Sequence, residues 1–91
     1  MNNKKYLVPK EIFNEKYKDL YVNSKLIYII LYNLTNRGKI KINFGLNDVQ
    51  KYIKCSNMTA TKTLLELEKR NLIKREKVKI GEALQITLLD L

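Results

Sequence analysis

Histidine is absent from this 91-residue chain, so a Ser/His/Asp triad, a Cys/His pair and any imidazole metal site are excluded at once. Cys55 is the single cysteine, which rules out an internal disulfide and suits a reducing cytosol. With no base available to activate the thiol, its expected place is that of a small buried hydrophobe. Long apolar runs are missing too. The longest, Leu26 to Tyr32 (LIYIILY), falls far short of the roughly 20 residues needed to span a bilayer. MNNKKYLVPK lacks the apolar stretch of a secretory signal, so a cytoplasmic protein is expected. Three glycines, one proline and no repeat or low-complexity tract leave no linker, and the length suits one domain. Little surface remains for a deep cleft, so a binding module is expected, with no catalytic residue, cofactor, metal or small-molecule substrate.

What is abundant is positive charge. Eighteen Lys and Arg stand against nine Asp and Glu, a formal charge of +9 and a sequence pI near 9.7. An excess of that size on one small domain points to a polyanionic partner.

Along the chain, an extended start at Tyr6 to Val8 leads to Pro9, which suits the first turn of a small helical segment over 10–16 carrying Ile12 and Phe13. A helix from Asn23 to about Asn36 follows, apolar nearly all round. Such a helix is covered either by the rest of the domain or by a second copy of the chain, which makes a homodimer an expectation. Gly38 suits a left-handed cap, and KIKINF (39–44) alternates as a half-buried strand with Ile40, Ile42 and Phe44 inward. LNDVQKYIK (46–54) has the three-and-four spacing of a short amphipathic helix. Cys55 and Ser56 form a turn, with Ser56 the N-cap of a helix that buries Ala60, Leu64 and Leu67 and stops at a left-handed Asn71. Leu72-Ile73 open a strand whose antiparallel partner carries Leu84, Ile86 and Leu88. A three-residue turn, Gly81-Glu82-Ala83, sets Ile80 opposite Leu84.

The order is helix, strand, short helix, tight turn, longer helix, strand, basic loop, strand. It predicts an α+β winged helix-turn-helix: three to four helices, a small antiparallel sheet and a C-terminal hairpin wing. One domain would span 1–91, with an N-terminal arm (1–22), the helix-turn-helix (46–71) and the wing (72–89).

In such an architecture the second helix of the motif is offered to the DNA major groove. Its first turns need short polar side chains, since bulk there would hold the backbone away from the base edges. Asn57, Met58, Thr59, Thr61 and Lys62 are the candidate reading surface. Six basic residues lie between Lys69 and Lys79 against one acid, and of these Lys74, Arg75, Lys77 and Lys79 fall on the wing, where they suit phosphate contact. Met58 and Leu65 are apolar members of the same surface. With the tyrosine-rich helix over 24–35, Leu65 is a candidate for holding a protein partner.

The stretches YLVPKEIFNEKYKDL (6–20), SKLIYIILYNL (24–34) and CSNMTATKTLLELEKRNLI (55–73) resemble the N-terminal domain of replication initiator protein A from plasmids of Gram-positive bacteria. The resemblance covers most of the chain. It implies a winged-helix domain that binds repeated duplex sites at a replication origin, often as a dimer. The alternative is a small mobile-element or phage protein that uses the same fold as a transcriptional regulator or protein-interaction module.

Overall fold

The computed structural model describes residues 6–91, so the first five residues of the expected arm lie outside the described residues. Three α-helices carry the domain: α1 (Val22–Leu34), α2 (Leu46–Tyr52) and α3 (Asn57–Lys69). A three-stranded antiparallel sheet of β1 (Ile42–Asn43), β2 (Ile73–Glu76) and β3 (Gln85–Leu88) completes it, with β3 in the middle. This is the winged-helix order. The expected helical segment over 10–16 is instead two 3-10 turns, Lys10–Phe13 and Glu15–Tyr17, because Asn14 between them is extended. Ile12 and Tyr17 are the buried residues of these turns.

The core gathers Ile27 and Leu31 from α1, Val49 from α2, Ala60, Leu64 and Leu67 from α3, and Ile73, Ile86 and Leu88 from the sheet. Helix α1 is therefore largely covered by its own domain. On its outer side Val22 and Leu26 stay exposed. Its first turn is held from α3: one carboxylate oxygen of Glu66 accepts from the fully buried Ser24 hydroxyl and, at 3.3 Å, from the Tyr21 N–H. An acidic group at that helix N-terminus satisfies a free donor and complements the helix dipole.

At its other end α1 stops earlier and less simply than one glycine cap requires. Asn36, Arg37 and Gly38 all have positive φ, at 51°, 61° and 84°. The Arg37 N–H donates to the Tyr32 C=O at 2.7 Å and the Ile40 N–H to the Thr35 C=O at 3.0 Å, which satisfies carbonyls at the helix end. These bonds hold the chain in a turn through Ile40, so the expected strand over 39–44 shrinks to Ile42–Asn43. Ile40 is left exposed, while Phe44 is buried as expected.

The wing pairs in a different register from the expected one. Ile73 lies opposite Leu88, Arg75 opposite Ile86 and Glu76 opposite Gln85, so residues 77–84 loop out instead of closing a three-residue turn. Ile73 and Leu88 are both buried, and in a strand of period two they fix which side chains face the core. That anchoring at the base of the hairpin, rather than the turn chemistry at its tip, sets the pairing. Val78 and Ile80 are consequently not inward partners of β3 but exposed loop residues.

Tyr28 shows how the C-terminal segment is tied down. Its hydroxyl donates to the Leu89 C=O at 2.7 Å, and burial, with Asp90 adding to it, pushes the phenol well above its ordinary range. Because the folded state holds the proton more tightly, this contribution is complete below the ordinary tyrosine pKa of about 10 and is lost as pH rises through the folded value. Tyr28→Phe is expected to cost about 1 kcal/mol at neutral pH and to shallow the alkaline fall in stability. Urea unfolding at a series of pH values measures both, and an unchanged alkaline slope would refute the assignment.

Candidate nucleic-acid interface

Positioning of α3 begins with its cap. The Ser56 hydroxyl accepts from the Thr59 N–H at 3.1 Å, as expected of an N-cap, and Asn71 takes φ 59° at the far end. The turn before it is closed by the Gln50 side-chain amide, which donates to the Cys55 C=O at 3.0 Å. Cys55 is half-buried against the core rather than enclosed. Helix α2 has only half of a capping box. The Asp48 carboxylate accepts from the Gly45 N–H at 2.8 Å, and glycine offers no side chain in return.

Ala60, Thr63, Leu64 and Leu67 form the buried side of α3. At 100° per residue the opposite side carries Met58, Lys62, Leu65 and Lys69 in one line, all exposed. Met58 is 69% and Leu65 48% exposed, so neither is absorbed by the domain's own hairpin. Asn57 and Thr61 are exposed on the flank nearer the wing. The Thr61 hydroxyl donates back to the Asn57 C=O at 2.9 Å, which leaves its methyl and an oxygen lone pair for an outside partner. Thr59 faces the other flank, half-buried, and shares a surface depression with Tyr21, Asn23 and Lys62. The first turn of α3 contains no acid, so the positive end of its dipole is uncompensated.

The wing residues are less uniform than the sequence implies. Lys74 and Lys77 are exposed, and Lys79 is exposed with a long 3.9 Å pairing to Glu82. Arg75 differs from them. Opposite Ile86 it points to the inner side of the sheet, its side chain only 17% exposed, and its Nη2 donates to Glu68 of α3 at 3.2 Å. Its guanidinium is thus spent on joining the wing to α3, and its buried Nε has no partner among the described residues. Arg70, at the start of the same basic tract, is also engaged inward. It donates to Asp19 at 3.0 Å and to the Lys16 C=O at 2.9 Å, over the face of Tyr17, and so clamps the arm to the end of α3.

Two contributions are not apparent from the basic tract alone. Lys69, grouped with the hairpin by sequence, sits on α3 in line with Lys62, as helical spacing would have shown. Tyr21 borders the α3 surface alongside Lys62 and Lys69, a placement made by the Glu66 and Arg70 clamps. No helix among the described residues is long and apolar enough to cross a membrane.

The profile of the MarR family matches residues 28–79, from the middle of α1 through α2, α3 and β2 into the wing loop. The chain belongs to the MarR family. This MarR-family winged-helix domain superposes on a solved structure described as the N-terminal domain of a DNA-binding protein, with a TM-score of 0.75 and 21% identity over 97% of this chain and 76% of that one. A second, described as a Rep-DNA complex, gives the same four values. A third, described as an MDR initiator, has a TM-score of 0.74 and 25% identity, covering 97% of this chain and 78% of that one. No curated protein matches the sequence.

Proposed function

We propose that this MarR-family domain binds double-stranded DNA sequence-specifically, with α3 in the major groove and the wing on the backbone. The observation that carries the reading is the exposed line of Met58, Lys62, Leu65 and Lys69, flanked by Asn57 and Thr61, beside exposed Lys74 and Lys77. Lys62 reaches guanine or phosphate, Asn57 an adenine edge, and the Thr61 methyl a thymine methyl. The setting in which we place it is a repeated site at a plasmid or mobile-element replication origin, in the cytoplasm. Support comes from the resemblance to the replication initiator protein A family and from the structural likeness to proteins described as Rep and initiator structures. The domain acts as a binding module, not an enzyme. Two copies on neighbouring half-sites would meet through the exposed outer side of α1 at Val22 and Leu26.

A selection from random duplexes at near-physiological salt, with the mass in solution measured alongside, tests this. An enriched motif supports base reading and its symmetry reports the dimer, whereas a flat result removes the reading. In the same assay Lys77→Ala with Lys79→Ala is expected to weaken binding to all duplexes and to reduce the slope of log K against log salt by roughly one unit per lost phosphate contact. An unchanged slope would take the wing off the DNA.

The exposure of Met58 and Leu65 favours a second reading, in which the same face holds a protein. It predicts little discrimination among duplexes and a Leu65→Glu variant that loses the protein partner but keeps weak, salt-sensitive DNA binding.

A further inference from the structure

The apex of the wing is built from residues that the fold does not use. Between β2 and β3 the chain turns at Lys79–Glu82, where the Glu82 N–H donates to the Lys79 C=O at 3.3 Å and Gly81 takes φ 84°. A positive φ at the third turn position is the type II shape, and it places Ile80 at the outermost corner. Ile80 is 90% exposed and Val78 66%, and a Cβ added to Gly81 would meet nothing within 4 Å. A turn corner is ordinarily polar or proline. A branched apolar side chain there buries nothing and stabilises nothing in the free domain.

The charges around this tip identify its partner. Lys77 and Lys79 alternate with Val78 and Ile80, so cationic and apolar side chains emerge together from one narrow loop. Of the two acids close by, Glu76 pairs with Lys41 at 3.9 Å, and Glu82 is drawn toward β1 by the Asn43 side-chain amide at 3.2 Å and pairs with Lys79 only at 3.9 Å. A protein surface that covered Val78 and Ile80 would also have to neutralise both lysines. A DNA minor groove offers phosphates on both walls and a hydrophobic base stack at its floor, so it satisfies both kinds of side chain at once.

We propose that Ile80 is an apolar wedge that enters the minor groove of duplex DNA and parts one base step, bending the duplex, while Lys77 and Lys79 hold the flanking phosphates. This rests on the duplex-binding reading and adds to it a source of sequence preference that involves no base hydrogen bond. Unstacking costs least at flexible pyrimidine–purine steps, so the wing selects TA-containing sites over stiff A-tracts of the same composition and charge.

The test uses two short duplexes, one of alternating dA and dT and one of homopolymeric dA·dT, each carrying a single 2-aminopurine in place of adenine. The wild-type chain is expected to bind the alternating duplex roughly tenfold more tightly, to raise its 2-aminopurine fluorescence by unstacking, and to shorten the end-to-end distance read by energy transfer between terminal dyes. Ile80→Ala, at a fully exposed position, is expected to keep its fold and its salt slope but lose the preference, the fluorescence rise and the bend. Lys77→Ala is expected to lose affinity for both duplexes equally while keeping the bend of whatever complex forms. Binding without bending or unstacking by the wild type, or an Ile80→Ala variant that bends DNA as the wild type does, would overturn the wedge while leaving duplex binding intact. A wild type that binds neither duplex at low salt would instead overturn the duplex-binding reading, and the wedge with it. If Ile80→Ala lowers the mass of the free chain without altering the bend, the tip is a contact between copies and the wedge is wrong.

Discussion

Leu64→Ala is expected to destabilise the domain by about 2–5 kcal/mol, a large part of the roughly 5–15 kcal/mol available to a chain of this size. Leu64 is fully buried on α3, in the one cluster to which α1 gives Ile27 and Leu31, α2 gives Val49 and the sheet gives Ile73 and Ile86. Truncation there leaves a cavity inside that shared core. The surroundings cannot collapse onto the gap without moving α3, which is pinned by Glu66 to the start of α1 and by Arg70 to the arm. At about 4–8 °C per kcal/mol the melting temperature should fall by about 8–40 °C in a circular-dichroism melt. The neighbour serves as control. Leu65→Ala, at a half-exposed position one residue on, should stay within about 0.5 kcal/mol of wild type. Equal losses at the two positions would mean that α3 is rotated from the orientation described, and the outward line of Met58, Lys62, Leu65 and Lys69 would be lost with it.

The parts of this arrangement legible in the sequence are those fixed by spacing over a few residues. Ala60, Leu64 and Leu67 recur at helical intervals, Ser56 is a short side chain before a helix, and Asn71 is a residue that tolerates positive φ. All three readings hold in the structure. The parts that were not legible depend on residues far apart in the chain. The wing register follows from Ile73 meeting Leu88 at the base, and the turn-like run Gly81-Glu82-Ala83 carries no information about that meeting. Ile40 alternates correctly for a strand, yet it is held in the turn by a bond to Thr35 after three left-handed residues. Arg75 reads as one more wing cation, and only its place opposite Ile86 and beneath Glu68 withdraws it from the surface. Among the proposed contact residues, Asn57, Met58, Thr61, Lys62, Lys74, Lys77 and Lys79 lie exposed, Thr59 is half-buried, and Arg75 is committed to α3.

Charge is partitioned across the molecule in a way that total composition conceals. The acids are mostly engaged with local partners: Asp19 with Arg70, Glu66 with Ser24 and Tyr21, Glu68 with Arg75, Glu76 with Lys41, Asp48 with Lys51. The exposed long pairs add little stability. Their effect is to place negative charge next to cations on the arm, on α2 and within the sheet. Lys62, Lys69, Lys74 and Lys77, on α3 or the wing, have no acidic partner among the described residues, and the same holds for Lys10, Lys16, Lys25, Arg37, Lys39 and Lys54 elsewhere. Unpaired positive charge is thus found around the molecule, and what sets α3 and the wing apart is that four such lysines lie beside the candidate reading residues, where a polyanion would be held.

Lys62→Glu is accordingly expected to have the largest effect on DNA binding of any single substitution on α3. Lys62 is exposed in the second turn of the helix, between Met58 and Leu65, and borders the surface shared with Tyr21, so no fold contact depends on its ammonium. Loss of one base or phosphate contact, as in Lys62→Ala, should weaken the selected site by about 10- to 100-fold, the equivalent of about 1–3 kcal/mol. Charge reversal adds repulsion from the phosphates on both sides of the groove, and the specific complex should fall to the level of non-specific binding. The melting temperature and solution mass should not change, which separates this outcome from the Leu64→Ala one. Fluorescence-anisotropy titrations of the selected duplex and of a scrambled one, across a salt series, would measure both terms. Lys62→Glu should abolish the difference between the duplexes, whereas Lys77→Ala with Lys79→Ala should preserve the difference and lower both affinities. If Lys62→Glu binds the selected duplex as the wild type does, α3 does not face DNA. Met58 and Leu65 then belong to a protein partner, and the wing alone accounts for any attraction to nucleic acid.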